Sequence, residues 1–117
     1  MLKSLLPVFF MLVSSLLFAN EVNIYTSRHY DSDDQLYDDF RKETVIKINV
    51  ISGNGSALLE RLKSEGKNSP ADIFFTVDAG NLWKIQKEGY FQSISSAKAL
   101  SIVPMNLRGP NNEWIAI

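Results

Sequence analysis

The sequence predicts an α/β fold built on a parallel sheet. Three observations carry that reading. Short β-branched or alternating segments recur at residues 21–26, 47–51 and 71–77. Longer stretches with helical apolar spacing follow each of them, which implies right-handed βαβ units and therefore parallel strands. Each helical stretch opens on Asp or Ser, and the second and third close on glycine, the chemistry of helix caps.

The first strand places Val22, Ile24 and Thr26 on one face and Asn23 and Tyr25 on the other. Asp31 or Ser32 is expected to cap the helix after it. Asp33 and Asp34 suit the positive end of the helix dipole, and Leu36, Tyr37 and Phe40 form its apolar stripe. A second strand at 47–51 runs into the turn Ser52-Gly53-Asn54-Gly55. Ser56 then opens a helix that reaches about Glu65, with Leu58, Leu59 and Leu62 on one side and a left-handed stop at Gly66. The nearly continuous apolar run at 71–77, with Phe74 and Phe75, reads as a central buried strand. Asp78 caps a third helix that carries Leu82, Trp83 and Ile85 and ends at Gly89. Residues 90–112 hold a short extended piece and a short helix near 97–101, and residues 114–117 read as the beginning of another strand. That apolar ending, with no polar tail, predicts a chain interrupted partway through a lobe.

The first nineteen residues read differently from the rest. A basic start at Lys3 and an apolar run from Leu5 to Phe18 give way abruptly to polar sequence after Ala19. This is the layout of a secretory signal peptide, too short for a stable membrane span, with cleavage expected after Ala19. Residues 20–117 are then enough for one small domain. The chain has no cysteine, so neither a disulfide framework nor a thiolate metal site is available. Export without disulfides fits a periplasm. A net charge of −1 with 45% hydrophobic residues argues against nucleic acid as a partner and against disorder.

The segment that carries the most chemistry is Thr26-Ser27-Arg28-His29-Tyr30, which leaves the carboxyl end of the first strand. Ligands of open α/β sheets bind outside those strand ends. The segment holds the chain's single histidine beside a tyrosine. Imidazole plus phenolate suits a small, hard, highly charged cation. Forming a phenolate at pH 7 costs about 4 kcal/mol, so a strong Lewis acid is needed and binding should weaken in acid. Neighbouring residues on a strand point to opposite faces, so His29 and Tyr30 must lie in a turn to share one ion. Gly53-Asn54-Gly55-Ser56 could hold an anion through backbone amides, but it lacks the lysine and spacing of a phosphate loop and reads better as a plain turn. Asp31, Asp33 and Asp34 lack the calcium-loop pattern. No Ser/His/Asp order, zinc spacing or catalytic carboxylate pair emerges, so the sequence does not read as an enzyme.

Three segments, VNIYTSRHYDSD (22–33), SALLERLKSEGKNSPADIFFTVDAG (56–80) with Leu82-Trp83 just beyond, and NLRGPNNEWIAI (106–117), resemble in sequence and order the periplasmic ferric-iron-binding proteins that feed ABC transporters. The resemblance covers nearly all of residues 20–117. It implies the first lobe, incomplete, of a type II periplasmic-binding-protein fold. It implies capture of Fe(III) as transported ligand, without a catalytic cofactor, and delivery to an inner-membrane ABC permease. It implies His29 and Tyr30 as metal ligands; Arg28, by its charge alone, could favour the phenolate from behind them or hold a bound anion. Members of that family are about three times the length of a single-lobe piece. Their further ligands include neighbouring tyrosines beyond the positions present here. The chain would thus fill two of about six coordination positions and bind iron weakly alone. Two alternatives stand beside this: a lobe for another solute, such as an oxyanion or a polyamine, with Arg28 and the Gly53 turn as its contacts, and a non-functional remnant or small secreted interaction module.

Overall fold

The computed structural model describes residues 20–117. The expected signal peptide lies outside the described residues. The elements follow in the order β1 (Glu21–Thr26), α1 (Asp31–Thr44), β2 (Lys47–Ser52), α2 (Gly55–Glu65), β3 (Ile73–Phe75), α3 (Ala79–Lys87) and α4 (Ala97–Ile102), with 3-10 turns at Gly66–Asn68 and Met105–Leu107. All three strands are parallel, in the order β2-β1-β3. Among the described residues, no helix is long and apolar enough to cross a membrane.

β1 is the central strand. Its register pairs Ile24 with Val50 on one side and with Ile73 on the other. The alternation of its side chains divides the core in two. Ile24 packs with Tyr37 of α1 and Ile48 of β2, against Val22 and Phe75. On the opposite face Tyr25 is fully buried, and its hydroxyl donates to both carboxylate oxygens of Glu65 in α2, at 2.6 and 2.9 Å. Beside it Leu59 and Leu62 of α2 and Ile85 of α3 form the second cluster, closed by Ala71, Phe74 and Phe91. Buried apolar area of this kind is the main favourable contribution to folding.

Several expectations need correction. The run at 71–77 condenses to three residues of strand and lies at the edge of the described sheet, with Ile73 47% exposed. Its flanks are tied instead by loop-type bonds, the Asp72 amide to the Asn23 carbonyl at 2.8 Å and the Asn23 amide to Asp72 Oδ2 at 2.8 Å. Of the stripe expected on α1 only Tyr37 is buried, while Leu36 is 52% exposed. Tyr30 occupies the position before α1 and makes no side-chain cap; Asp31 is already inside the helix. The cap of α2 is Asn54, whose side-chain oxygen accepts from the Ser56 amide, not Ser56 itself. Residues 114–117 do not form a strand. They fold back in a tight reversal, with one antiparallel bridge between Arg108 and Ile115, the Gly109 amide on the Trp114 carbonyl at 2.9 Å, and Asn112 in left-handed backbone. Trp114 Nε1 donates to Gln86 Oε1 of α3 at 2.7 Å, which anchors this segment to the domain.

Other expectations hold. Gly66 ends α2, although at φ 55° and ψ −131° it lies outside the expected left-handed helical region and leads into a 3-10 turn, and Asp78 caps α3 by accepting from the Gly80 amide at 2.8 Å. The short helix near 97–101 is α4. α1 stops less economically: Val45, a β-branched residue that is almost wholly exposed, takes left-handed backbone at φ 53° and donates its amide to the Arg41 carbonyl.

Candidate functional site

The site forms where β1 ends. Two backbone bonds fix that end from both sides: the Gly53 amide donates to the Thr26 carbonyl at 3.1 Å, and the Ser27 amide to the Phe75 carbonyl at 2.9 Å. Thr26 is buried, and its hydroxyl accepts from the Arg28 amide at 3.0 Å, turning the chain out of the strand. Ser27 and Thr76 join hydroxyls at 3.0 Å across the strand ends. Residues 27–30 leave the sheet as an irregular connection, with Tyr30 still in extended backbone just before α1.

His29 and Tyr30 are both exposed, Tyr30 to 55%. Both line one cleft of about 230 Å³, together with Thr26, Arg28, Asp33 and Tyr37. His29 also borders a second cleft of about 400 Å³, where the starts of α2 and α3 meet and Lys84 supplies a positive charge. In that second cleft Gly55 approaches Asn81 closely: a Cβ on Gly55 would lie 2.6 Å from Asn81 Nδ2.

Arg28 is held rigidly. Its Nε and Nη2 donate to the two carboxylate oxygens of Asp33, both at 2.9 Å, in a fork-to-fork pair whose side chains are 17% and 10% exposed. Its guanidinium lies 4.3 Å from the centre of the Phe75 ring and 5.1 Å from that of Tyr30. The Asp33 amide donates to the Tyr30 carbonyl at 3.0 Å. Asp33 thus does more than complement the helix dipole, the role its position in the sequence implies.

Tyr37 contributes a second feature that the sequence does not announce. Its ring packs in the α1-side core, yet its hydroxyl is buried without a hydrogen-bond partner. Burial, then the charge of Asp33, pushes its pKa above the usual tyrosine value. Tyr25 is likewise raised, by burial and then by its bond to Glu65. The packing roles expected for Tyr25 and Tyr37 from their strand and helix faces match these positions.

Among the described residues, no three histidine, cysteine or acidic side chains converge on a metal position. The donors that line the cleft at the end of β1 include the His29 imidazole, the Tyr30 phenol and the carboxylates of Asp31, Asp33 and Asp34, of which Asp33 is taken up by Arg28. A third, larger groove of about 510 Å³ between α2 and α3, lined by Leu59, Lys63, Trp83 and Lys87, lies apart from them.

A scan against models of known protein families finds no match. Individual proteins do match. The chain is 49% identical over 94 residues to iron uptake protein A1 of Synechocystis, covering 80% of this chain and 26% of that protein. It is 30% identical over 94 residues to an Fe(3+)-binding periplasmic protein of Serratia marcescens, covering 80% of this chain and 28% of the relative. In structure it superimposes on a Trichodesmium FutA solved in complex with iron and citrate, with a TM-score of 0.77 and 53% identity over 82% of this chain and 30% of that one. The chain therefore spans about a quarter of the length of the curated relatives it matches. The α/β architecture is that of part of a type II periplasmic-binding-protein fold. With half its residues shared over that span and the same fold, the chain is homologous to part of the iron uptake and ferric-iron-binding proteins.

Proposed function

We propose that this chain forms part of the first lobe of a periplasmic Fe(III)-binding protein serving an ABC uptake system, with His29 and Tyr30 as its iron ligands. The observation that carries the reading is the placement of these two side chains: adjacent, exposed, on the connection that follows the carboxyl end of the central strand, and lining one cleft. The names of the relatives support the identity of the cargo. Residues 1–19 direct export, and the mature part begins near Asn20. Catalysis has no role in this reading, and iron is cargo.

Two donors fill only part of an Fe(III) coordination sphere, which prefers about six positions with anionic oxygen among them. The 117-residue chain alone therefore binds iron weakly, and the remaining donors come from a second lobe, a chelating anion or water. The Tyr30 phenol must lose its proton to bind, so affinity falls as pH falls. The iron-bound form would dock on an inner-membrane permease and release its ion on opening.

The test is a titration of the purified chain with Fe(III) nitrilotriacetate, followed by visible absorption. A weak phenolate-to-iron charge-transfer band is expected, absent in Tyr30→Phe and reduced in His29→Ala. Equal iron uptake by wild type and the His29→Ala, Tyr30→Phe double variant would overturn the assignment. A tight, stoichiometric complex with the single chain would overturn the expectation of weak binding.

A further inference from the structure

We propose that Asp33 is a positioning residue for the ferric site: acting through Arg28, it fixes the ring of Tyr30 in the orientation that ligation needs. The proposal rests on the ferric reading above.

The geometry is specific. Tyr30 is exposed, and an exposed tyrosine samples several rotamers that must collapse to one when its oxygen binds a metal. The Arg28 guanidinium lies over its ring, 5.1 Å from the centroid. That guanidinium is itself immobilised. Asp33 takes two of its nitrogens at 2.9 Å, Phe75 supports it at 4.3 Å, and the Arg28 amide is tied to Thr26 Oγ1 at 3.0 Å. Asp33 also holds residue 30 by the backbone, through its amide on the Tyr30 carbonyl at 3.0 Å. The amide bond is a first-turn helix bond that any residue at 33 makes, so it is the ring of Tyr30 that is referred, through Arg28, to the Asp33 carboxylate.

A structural ion pair alone would need only the fork and the burial. The position of the cation over a ring that is more than half exposed is the additional feature. It transmits the rigidity of α1 and of Phe75 on β3 to a side chain in the cleft. A planar fork is required, because a lysine in place of Arg28 could not bind both carboxylate oxygens and stack at once.

The experiment uses the whole chain with ¹³C-labelled tyrosine. There are four tyrosines, and the Tyr30 ring signals are assigned by their loss in Tyr30→Phe. In the iron-free protein, Asp33→Asn should move the Tyr30 ring signals toward those of a free tyrosine and leave those of buried Tyr25 in place, which reports an intact fold. Fe(III) affinity, read by competition with nitrilotriacetate, should fall about fivefold through lost preorganisation, and Asp33→Glu should recover part of it. Arg28→Lys should act in the same direction and serves as the second variant where Asp33→Asn perturbs Tyr25. Unchanged Tyr30 signals in either variant overturn the proposal. So does wild-type affinity in Asp33→Asn when Tyr30→Phe binds more weakly. If Tyr30→Phe itself binds iron like wild type, the ferric reading fails instead, while a ring shift in Asp33→Asn still identifies the clamp.

Discussion

Two tyrosines are buried on opposite faces of the sheet, and they are used in different ways. Tyr25 projects from β1 beneath α2, where its hydroxyl donates to Glu65, which also accepts from the Ser69 hydroxyl. Arg61 lies over its ring at 5.2 Å. That face is closed: an aliphatic cluster, a partnered hydroxyl and a helix latched to the central strand. Tyr37 projects from α1 onto the other face, where its hydroxyl has no partner and adjoins the cleft shared by His29 and Tyr30. The comparison teaches that the two sides of one strand divide the work. The α2–α3 side supplies stability, and the α1 side accepts an unsatisfied group and a buried ion pair next to the candidate site. Buried polar groups without partners cost free energy and tend to persist where function uses the space.

The comparison can be broken most forcefully at the ends of each side. Ile85, fully buried in the α2–α3 cluster, should cost about 3–4 kcal/mol when cut to Ala, because a cavity adds to the lost burial. Urea unfolding measures it. On the α1 side, Asp33→Ala leaves Arg28 charged and largely buried, and a loss of about 3 kcal/mol is expected in the same assay. If Asp33→Ala proves neutral, the pair contributes nothing to the fold and the contrast between the sides sharpens.

Smaller effects separate the tyrosines themselves. Tyr25→Phe removes a donor and leaves the part-buried Glu65 carboxylate short of a partner, for a loss of about 1–2 kcal/mol. Tyr37→Phe removes a hydroxyl that makes no hydrogen bond of full geometry, with the Thr26 hydroxyl its nearest candidate, so its stability should stay within about 0.5 kcal/mol of wild type, or rise. Equal losses in the two variants would erase the distinction. Alkaline titration gives a further test. Both phenols have pKa values raised in the fold, so the unfolded chain releases its protons first as pH climbs. Stability contributed by these groups is complete below about pH 10 and declines above it, and Tyr37→Phe should flatten part of that decline.

Much of this organisation is legible in the sequence, for identifiable reasons. β1, β2 and the helices follow from apolar spacing, and Gly66 and Asp78 mark helix ends because their backbone and side-chain chemistry is local. The edge position of β3 is not legible. Phe74 faces the α2–α3 cluster and Phe75 the α1 side, so both faces are covered and the run looks central. Coverage of two faces says nothing about whether a neighbouring strand lies alongside. At the site, His29 and Tyr30 stand out by residue type and by their place after a strand. The Arg28–Asp33 fork spans a turn and the start of α1, five residues apart, a spacing with no helical or strand signature. A signal was present, an arginine shortly before a run of aspartates, but it does not say which carboxylate turns inward. Nor does any pattern disclose that the Tyr37 hydroxyl lacks a partner.

The end of α1 has a practical consequence. Val45 holds a conformation that a branched side chain resists, while its own methyl groups meet little but water. Nothing about iron requires valine there. An asparagine tolerates the same backbone at lower steric cost, so Val45→Asn offers a more heat-resistant protein with the candidate site untouched.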